Sequence, residues 1–176
     1  MSDGTDAESE GATGTDGTGT DGDRASSVLG DDTRKHVLVP IDGSDQSTAA
    51  LEHALSEFEG ARLTLLHVIN PARAGYGAQA GIPTSSEEWL EAAEAEADAL
   101  FAGARERARG HDVDLETATE IGNPSRLIVE FTEDEARDID HVVMGSHGRS
   151  GLSRVLLGSV AENVVRRSTV PVTVVR

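Results

Sequence analysis

Short apolar runs alternate with longer segments of helical periodicity from residue 36 to the end of the chain. The runs at 36–41 and 62–69 have strand length, and the second is too apolar for a strand exposed on either face. Residues 113–119 alternate apolar side chains with acids, as an edge strand does. Two further runs lie at 140–145 and 170–175. The pattern therefore predicts five strands.

Four helices are predicted between these strands. Ser44 is placed to cap the first helix, which Gly60 ends. The second helix covers 89–108 and carries a face of small residues, and the third begins at Asn123–Pro124, with Asn123 as cap. Ser159 begins the fourth. Strict alternation of strand and helix predicts an α/β fold: an open, doubly wound, Rossmann-like parallel sheet of five strands with four helices.

Residues 1–33 have a different composition from the rest of the chain. They are rich in Gly, Thr, Asp, Ser and Glu, and they carry nine acids against one base. Such a segment cannot bury enough apolar surface to offset the entropy of ordering. We expect a disordered acidic tail over 1–34 and a folded domain over 35–176. The loop at 70–86, rich in Gly, Ala and Pro, is long enough to act as a lid.

The charge of the chain excludes several classes of function. The net charge is −17, and residues 34–176 alone carry −9, so phosphate backbones and anionic lipid are repelled.

With no Cys there are no disulfides, thiolate nucleophiles or cysteine zinc sites. We find no apolar run of membrane-spanning length and no signal-peptide pattern, so we expect a cytoplasmic protein. Fourteen arginines and a single lysine, Lys35, beside abundant acids indicate a halophile-like composition.

Two predicted strand ends carry residues suited to a ligand. Asp42 follows the first strand, and a glycine-rich segment at 145–159, without Asp or Glu, follows the fourth. We expect Gly145 and Gly148 to permit positive φ and to leave no side chain between main chain and ligand. The end of the segment leads onto a helix N-terminus, which attracts phosphate. Donor side chains in it are Ser146, His147, Arg149, Ser150, Ser153 and Arg154.

Each of these residues also has a purely structural interpretation. Ser159 and Glu162 have the spacing of a capping box. Asp42 has the position of a turn residue, and His147 that of an exposed loop residue. His67, inside the second strand, has the position of a hydrogen-bonded core histidine.

The chain from residue 36 to 176 resembles a universal stress protein domain over its full length. The resemblance is carried by Val-Leu-Val-Pro-Ile-Asp-Gly-Ser at 37–44, Leu-Leu-His-Val at 65–68, Gly-Asn-Pro at 122–124, Met-Gly-Ser-His-Gly-Arg-Ser-Gly-Leu at 144–152, Leu-Leu-Gly-Ser-Val-Ala-Glu-Asn-Val at 156–164 and Val-Pro-Val-Thr-Val-Val at 170–175. The spacing Gly145-x2-Gly148-x9-Gly158-Ser159 is associated in that family with members that bind ATP.

The resemblance implies a nucleotide site and a role for each part of it. Asp42 would contact the ribose or the adenine, and Val68 would present its backbone to the adenine ring. Gly145 and Gly148 would lie against the ribose and the α-phosphate, while the backbone of 158–160 would bind the β- and γ-phosphates. The implied residues are Pro40, Ile41, Asp42, Ser44, Val68, Gly145, His147, Gly148, Arg149, Gly158, Ser159 and Val160.

The resemblance also implies a cofactor ion and a partner. Mg²⁺ or Mn²⁺ would be held through the phosphates, because the sequence shows no carboxylate cluster. A homodimer would form through 170–175. The motif offers no Asp or Glu as a base and no Walker lysine, which favours a nucleotide-binding sensor or regulator in a stress response over an enzyme. A slow ATPase or a phosphoryl acceptor at Ser44, Ser150, Ser153 or Ser159 is the second hypothesis, and an interaction module that binds cyclic AMP or no nucleotide is the third.

Overall fold

The computed structural model describes residues 34–73, 86–148 and 157–176, and in this part of the chain strands and helices alternate. The elements are β1 (His36–Pro40), α1 (Asp45–Glu57), β2 (Arg62–Ile69), α2 (Ser86–Ala108), β3 (Asp114–Ile121), α3 (Pro124–Glu133), β4 (His141–Gly145), α4 (Ser159–Arg167) and β5 (Val172–Val175). The predicted fold class is confirmed. The predicted tail at 1–33 and most of the predicted lid, 74–85, lie outside the described residues. No helix within those residues is long and apolar enough to cross a membrane.

All five strands are parallel, in the order β3-β2-β1-β4-β5. β1 pairs on one side with β2 and on the other with β4, so the direction of winding reverses between β1 and β4. In an open parallel sheet this reversal leaves a crevice beyond the carboxyl ends of the strands. β3 is an edge strand with a half-exposed surface, as its alternating pattern predicts.

Each face of the sheet is covered by two helices. α1 and α2 pack on the face that includes Val39 and Leu65, while α3 and α4 pack on the face that includes Leu38 and Leu66. These four strand side chains are fully buried. Because β1 and β2 are apolar on both faces, they form the centre of the molecule and hold the crevice above them in place.

The helix starts confirm two of the predicted caps and correct a third. Ser44 Oγ accepts a hydrogen bond from the Ser47 N–H at 3.1 Å, and Asn123 Oδ1 accepts one from the Arg126 N–H at 3.1 Å. The capping box expected from Ser159 is wrong, because Gly158 is the N-cap of α4 and makes no side-chain capping bond. Ser159 lies one position inside the helix, where its hydroxyl is no longer placed to cap it.

A buried histidine at the opposite end of the sheet makes stability sensitive to pH. Burial lowers the pKa of His36 below its usual 6.5, and the nearby positive charge of Arg62 lowers it further. His36 Nδ1 donates to the Arg137 carbonyl at 2.7 Å, and Nε2 contacts Thr64 Oγ1 at 2.7 Å. The folded state therefore favours the neutral form of the His36 ring.

We expect the unfolding midpoint to fall as the pH is lowered from about 7.5 to 5.5. The unfolded chain takes up a proton on His36 near its usual pKa, whereas the folded chain does so only at lower pH, so acid favours the unfolded state. At pH values above the usual pKa of His36, the ring is neutral in both the folded and the unfolded state, so none of the folded state's stability is lost. Melting curves of the wild type and His36→Asn, which keeps a donor for Arg137, test this. An equal pH dependence in both proteins would contradict the assignment.

Candidate functional site

A cleft of 890 Å³ opens at the carboxyl ends of β1, β2 and β4. Its walls come from the strand ends, the N-terminal half of α2, the first turns of α3 and the N-terminus of α4. The cleft brings together ten of the twelve residues that the sequence assigns to a site: Pro40, Ile41, Asp42, Val68, Gly145, His147, Gly148, Gly158, Ser159 and Val160. Arg149 lies outside the described residues. Ser44 is buried and does not line the cleft.

Asp42 is held at the end of β1 by a tight turn. Its Oδ1 accepts hydrogen bonds from the Ser44 N–H at 3.0 Å and the Ser44 hydroxyl at 2.6 Å. Gly43 between them has φ +77°, a conformation that glycine adopts without strain. Ser44 therefore acts behind the cleft, capping α1 and orienting the carboxylate that lines it.

Gly148 is required by the position of that carboxylate. A Cβ at Gly148 would lie 2.5 Å from Asp42 Oδ2, so any side chain there would displace the Asp42 side chain. Gly145 is required by the approach of α1, because a Cβ there would lie 2.7 Å from the backbone carbon of Gln46. Neither glycine has positive φ, so the conformational freedom that glycine permits is not used at these positions. What both positions need is space.

The N-terminus of α4 opens into the cleft beside this glycine turn. The Gly158 N–H donates to the Ser146 carbonyl at 2.8 Å, and the first intrahelical bond runs from the Glu162 N–H to the Gly158 carbonyl at 2.9 Å. The N–H groups of 159–161 precede that first bond and have no intrahelical acceptor. Together with the helix dipole they form a region of positive potential, which favours an anion.

His147 contributes an unpaired nitrogen to the same wall. Its Nδ1 lies 3.1 Å from Ser146 Oγ, whereas Nε2 is buried and has no hydrogen-bond partner. The Cδ2 atom of the ring lies 3.8 Å from the position of a Cβ at Gly158. A buried polar nitrogen without a partner destabilises the structure, so His147 carries an unfavourable contribution at this wall of the cleft.

The family model "Universal stress protein family" matches residues 33–176. The chain belongs to the universal stress protein family. A curated relative, Universal stress protein MJ0531 of Methanocaldococcus jannaschii, is 34% identical over 151 residues, which cover 84% of this chain and 85% of the relative. Among solved structures, protein MJ0577 of the same organism has a TM-score of 0.67 at 30% identity, over 80% of this chain and 94% of that one. A universal stress protein in complex with cAMP has a TM-score of 0.55 at 27% identity, over 81% of this chain and 97% of that one.

In this universal stress protein the described lining contains no Lys or Arg. Its acidic side chains are Asp42, which follows β1, and Glu96, which belongs to α2. No group of three or more acids and histidines among the described residues could hold a metal ion. Within these residues, an anionic ligand would therefore be bound by backbone N–H groups and not by ion pairs.

The structure adds cleft residues that the sequence interpretation did not assign to this universal stress protein's site. Trp89 and Ala93 of α2 line the cleft, as do Asn123 and Pro124 at the start of α3. Packing and helix capping explain these residues as well as contact with a ligand does. The sequence therefore carries no signal that would have assigned them to the site. His67 also lines the cleft, where the sequence favoured a core histidine.

Proposed function

We propose that this protein binds ATP in the cleft and acts as a nucleotide sensor or regulator in a stress response. The observation that carries the proposal is the wall formed by the α4 N-terminus and the 145–148 turn. Its backbone N–H groups are donors around a space that glycines keep open, which suits phosphate. The glycine spacing and a family relative in complex with cAMP support the same conclusion.

The remaining groups of ATP fit the order of the strands. With the phosphates at β4 and α4, the ribose would lie over the end of β1 beside Asp42, and the base would lie over β2 beside Val68. Mg²⁺ or Mn²⁺ would be held by the phosphate oxygens, because the described residues supply no carboxylate cluster of their own. The ion would neutralise phosphate charge, while the chain's own groups orient the nucleotide.

We also propose a homodimer through residues 170–175. β5 is an edge strand that pairs with β4, and its four residues are half-buried within one protomer. Val170, Val172 and Val174 pack against the core beneath α3 and α4. The outer edge of β5 pairs with no other strand of the described sheet, and this is the edge at which we place the second protomer. Light scattering measures the mass directly, and a monomer at micromolar concentration would contradict this part of the proposal.

The experiment that tests ATP binding is a thermal melt in high potassium chloride with ATP and Mg²⁺, beside ADP, AMP and cyclic AMP. A ligand at 1,000 times its Kd stabilises the folded state by about 4 kcal/mol, which raises the midpoint by roughly 10 °C in a domain of this size. A rise specific to ATP supports the sensor. Cooperative melting with no shift from any nucleotide would contradict binding, and release of phosphate on incubation would favour the slow ATPase instead.

We expect Asp42→Asn to weaken ATP binding by about 1–3 kcal/mol, roughly 5- to 150-fold, with little change in stability. Asn keeps an oxygen that can accept from Ser44, so the turn is retained, but it replaces the carboxylate that would accept from a ribose hydroxyl. Calorimetric titration with ATP gives the change. Asp45→Asn, an exposed acid in the first turn of α1, is the control for the loss of one negative charge.

An unchanged affinity in Asp42→Asn, with an unchanged melting temperature, would limit Asp42 to its role in the turn. Equal changes in Asp42→Asn and Asp45→Asn would indicate a general effect of charge on a highly acidic protein.

A further inference from the structure

A second pocket, of 310 Å³, lies at the end of the sheet opposite the cleft that is proposed to bind ATP. His36 and Arg62, the first residues of β1 and β2, line it together with Glu116 of β3. Its other walls come from Phe131 near the end of α3 and from the segment between α3 and β4. The volume is near the lower end of the range of about 300–1,000 Å³ that small-molecule sites occupy. The two cavities have no described residue in common.

The guanidinium of Arg62 is a positive charge without an acidic partner among the described residues. Its Nε is buried and has no hydrogen-bond partner there. Asp114, directly across from it on β3, pairs instead with Arg34 at 3.9 Å. The other cation of the second pocket, Arg137, is held by Asp134 at 3.1 Å. Arg62 is therefore the cation that a ligand in this pocket would meet, through its terminal nitrogens.

Glu116 supplies a carboxylate to the same pocket and has no ion pair with a described residue either. It lies across from Thr64, two residues along β2 from Arg62 and on the same face of the sheet. With about 4.8 Å between strands and a rise of about 3.3 Å per residue, the Cα atoms of Arg62 and Glu116 are about 8 Å apart. This separation leaves room for a small group that carries both charges.

The hydrogen bonds of His36 decide what the Thr64 hydroxyl beside Glu116 can do. His36 Nδ1 donates to the Arg137 carbonyl, so Nε2 of the neutral ring accepts from the Thr64 hydroxyl at 2.7 Å. Burial lowers the pKa of His36 and so favours that neutral ring. With its proton used in this way, the Thr64 oxygen can only accept from a ligand. Thr64 and Glu116 are thus neighbouring acceptors, and the donor Arg62 lies two residues away.

The remaining lining of the second pocket is largely apolar. Phe131 and Ile139 are only 3% and 8% exposed, and Ala118 of β3 belongs to the same apolar cluster. Arg137 lies over the Phe131 ring, with its Cζ 3.8 Å from the ring centroid. This surface suits a short hydrocarbon group.

We propose that the second pocket binds a free α-amino acid with an apolar side chain. Its carboxylate accepts from Arg62, its ammonium group donates to Glu116 and Thr64, and its side chain packs on Phe131 and Ile139. A simple carboxylate would leave Glu116 unpaired beside a second negative charge, and a simple amine would leave Arg62 unpaired. Only a ligand with both charges pairs both residues. This site is independent of the proposed binding of ATP.

NMR spectra of the backbone amides of the full chain, titrated with L-leucine at constant ionic strength, test the proposal. 4-Methylpentanoate and 3-methylbutylamine are L-leucine without its ammonium group and without its carboxylate. We expect L-leucine to shift the amide signals of 62–64 and 116–118 with a Kd of about 1 mM, and each analogue to bind at least about 10-fold more weakly. Equal binding of either analogue would overturn the proposal, as would shifts confined to residues of the other cleft.

Two substitutions remove one charge each from the second pocket. We expect Arg62→Gln and Glu116→Gln each to weaken L-leucine binding by about 10-fold or more. Both variants should fold, because Glu116 is exposed and Arg62 Nε has no hydrogen bond to lose. Arg126→Gln and Glu130→Gln are the matched controls, since these residues of α3 form an exposed ion pair outside the pocket. Each control should change the affinity by less than about 2-fold.

The outcomes separate an amino-acid site from its alternatives. No shift of the wild type at about 20 times the expected Kd, or unchanged affinity in both pocket variants, overturns the inference. Weaker binding in Arg62→Gln with unchanged binding in Glu116→Gln indicates a site for a simple carboxylate and overturns it as well. If Arg62→Gln does not fold, Glu116→Gln and the two analogues decide. ATP titrations of the same variants should be unchanged, so failure of this inference leaves the proposed function standing.

Discussion

Gly158→Asp is expected to abolish measurable ATP binding while the chain remains folded. Asp would introduce a carboxylate at the N-cap of α4, beside the N–H groups that are proposed to hold the phosphates. Two like charges about 4 Å apart repel by about 4 kcal/mol at an effective dielectric constant near 20, which corresponds to a loss of roughly 1,000-fold in affinity. Calorimetric titration with ATP, at equal salt for both proteins, measures the loss.

The fold should tolerate this change for local reasons. Gly158 has φ −65° and ψ 156°, which any residue can adopt, and Asp is a favoured N-cap. An added Cβ would lie 3.2 Å from the Ser146 carbonyl oxygen and 3.4 Å from His147 Cα, which requires shifts of a few tenths of an ångström. Gly158→Asn is the matched control, because it adds the same bulk without charge. If Asp and Asn weaken binding equally, bulk and not charge is responsible. If neither weakens binding, the α4 N-terminus does not hold the phosphates.

Gly145→Ala is expected to destabilise the protein by about 2–3 kcal/mol and to lower its unfolding midpoint by roughly 4–12 °C. The added Cβ would lie 2.7 Å from the backbone carbon of Gln46 and 2.9 Å from its carbonyl oxygen. These are main-chain atoms of the first turn of α1, so no side-chain rotation relieves the contact. The helix must move away from β4, which disturbs a densely packed interface. Thermal and urea denaturation measure the effect.

Gly148→Ala is the matched control, three residues along the same turn. Among the described residues, its added Cβ would meet the carboxylate of Asp42 alone, which can rotate away. We expect a stability change below about 1 kcal/mol together with weaker ATP binding, because the Asp42 carboxylate leaves its position. Similar melting temperatures for Gly145→Ala and the wild type would show that α1 yields easily, and the close packing of Gln46 would then not explain the glycine.

Local sequence was sufficient for the elements of this protein. The bounds of β2 agree with its apolar run, and Asn123 and Pro124 start α3 as their chemistry predicts. Ser159 also begins α4 as predicted. The exception was its role there, since the spacing of Ser159 and Glu162 fits a capping box that the structure does not form, and Gly158 is the N-cap. The Gly158 N–H instead donates to the Ser146 carbonyl, a contact within the turn that precedes the helix.

The sequence also indicated where a ligand would lie, but not why each residue is there. Asp42 and the glycine segment follow strands that parallel topology brings to one edge of the sheet, so their meeting could be predicted. The reason for Gly145 could not, because it depends on how closely α1 approaches β4. The donor role of Ser44 toward Asp42 is likewise a property of the folded turn.

What the sequence by itself determined is the alternation of strands and helices, the family and the spacing of Gly145, Gly148 and Gly158, since these are set by local periodicity and by chain order. Only the tertiary structure decided that the His67 ring is hydrogen-bonded to the Ile41 carbonyl, that Trp89 lines the cleft and that His147 Nε2 is buried without a partner. The physical reason is that hydrogen-bond partners and open space are shared between segments far apart in the chain. The Ile41 carbonyl that fixes the ring of His67 lies 26 residues before it.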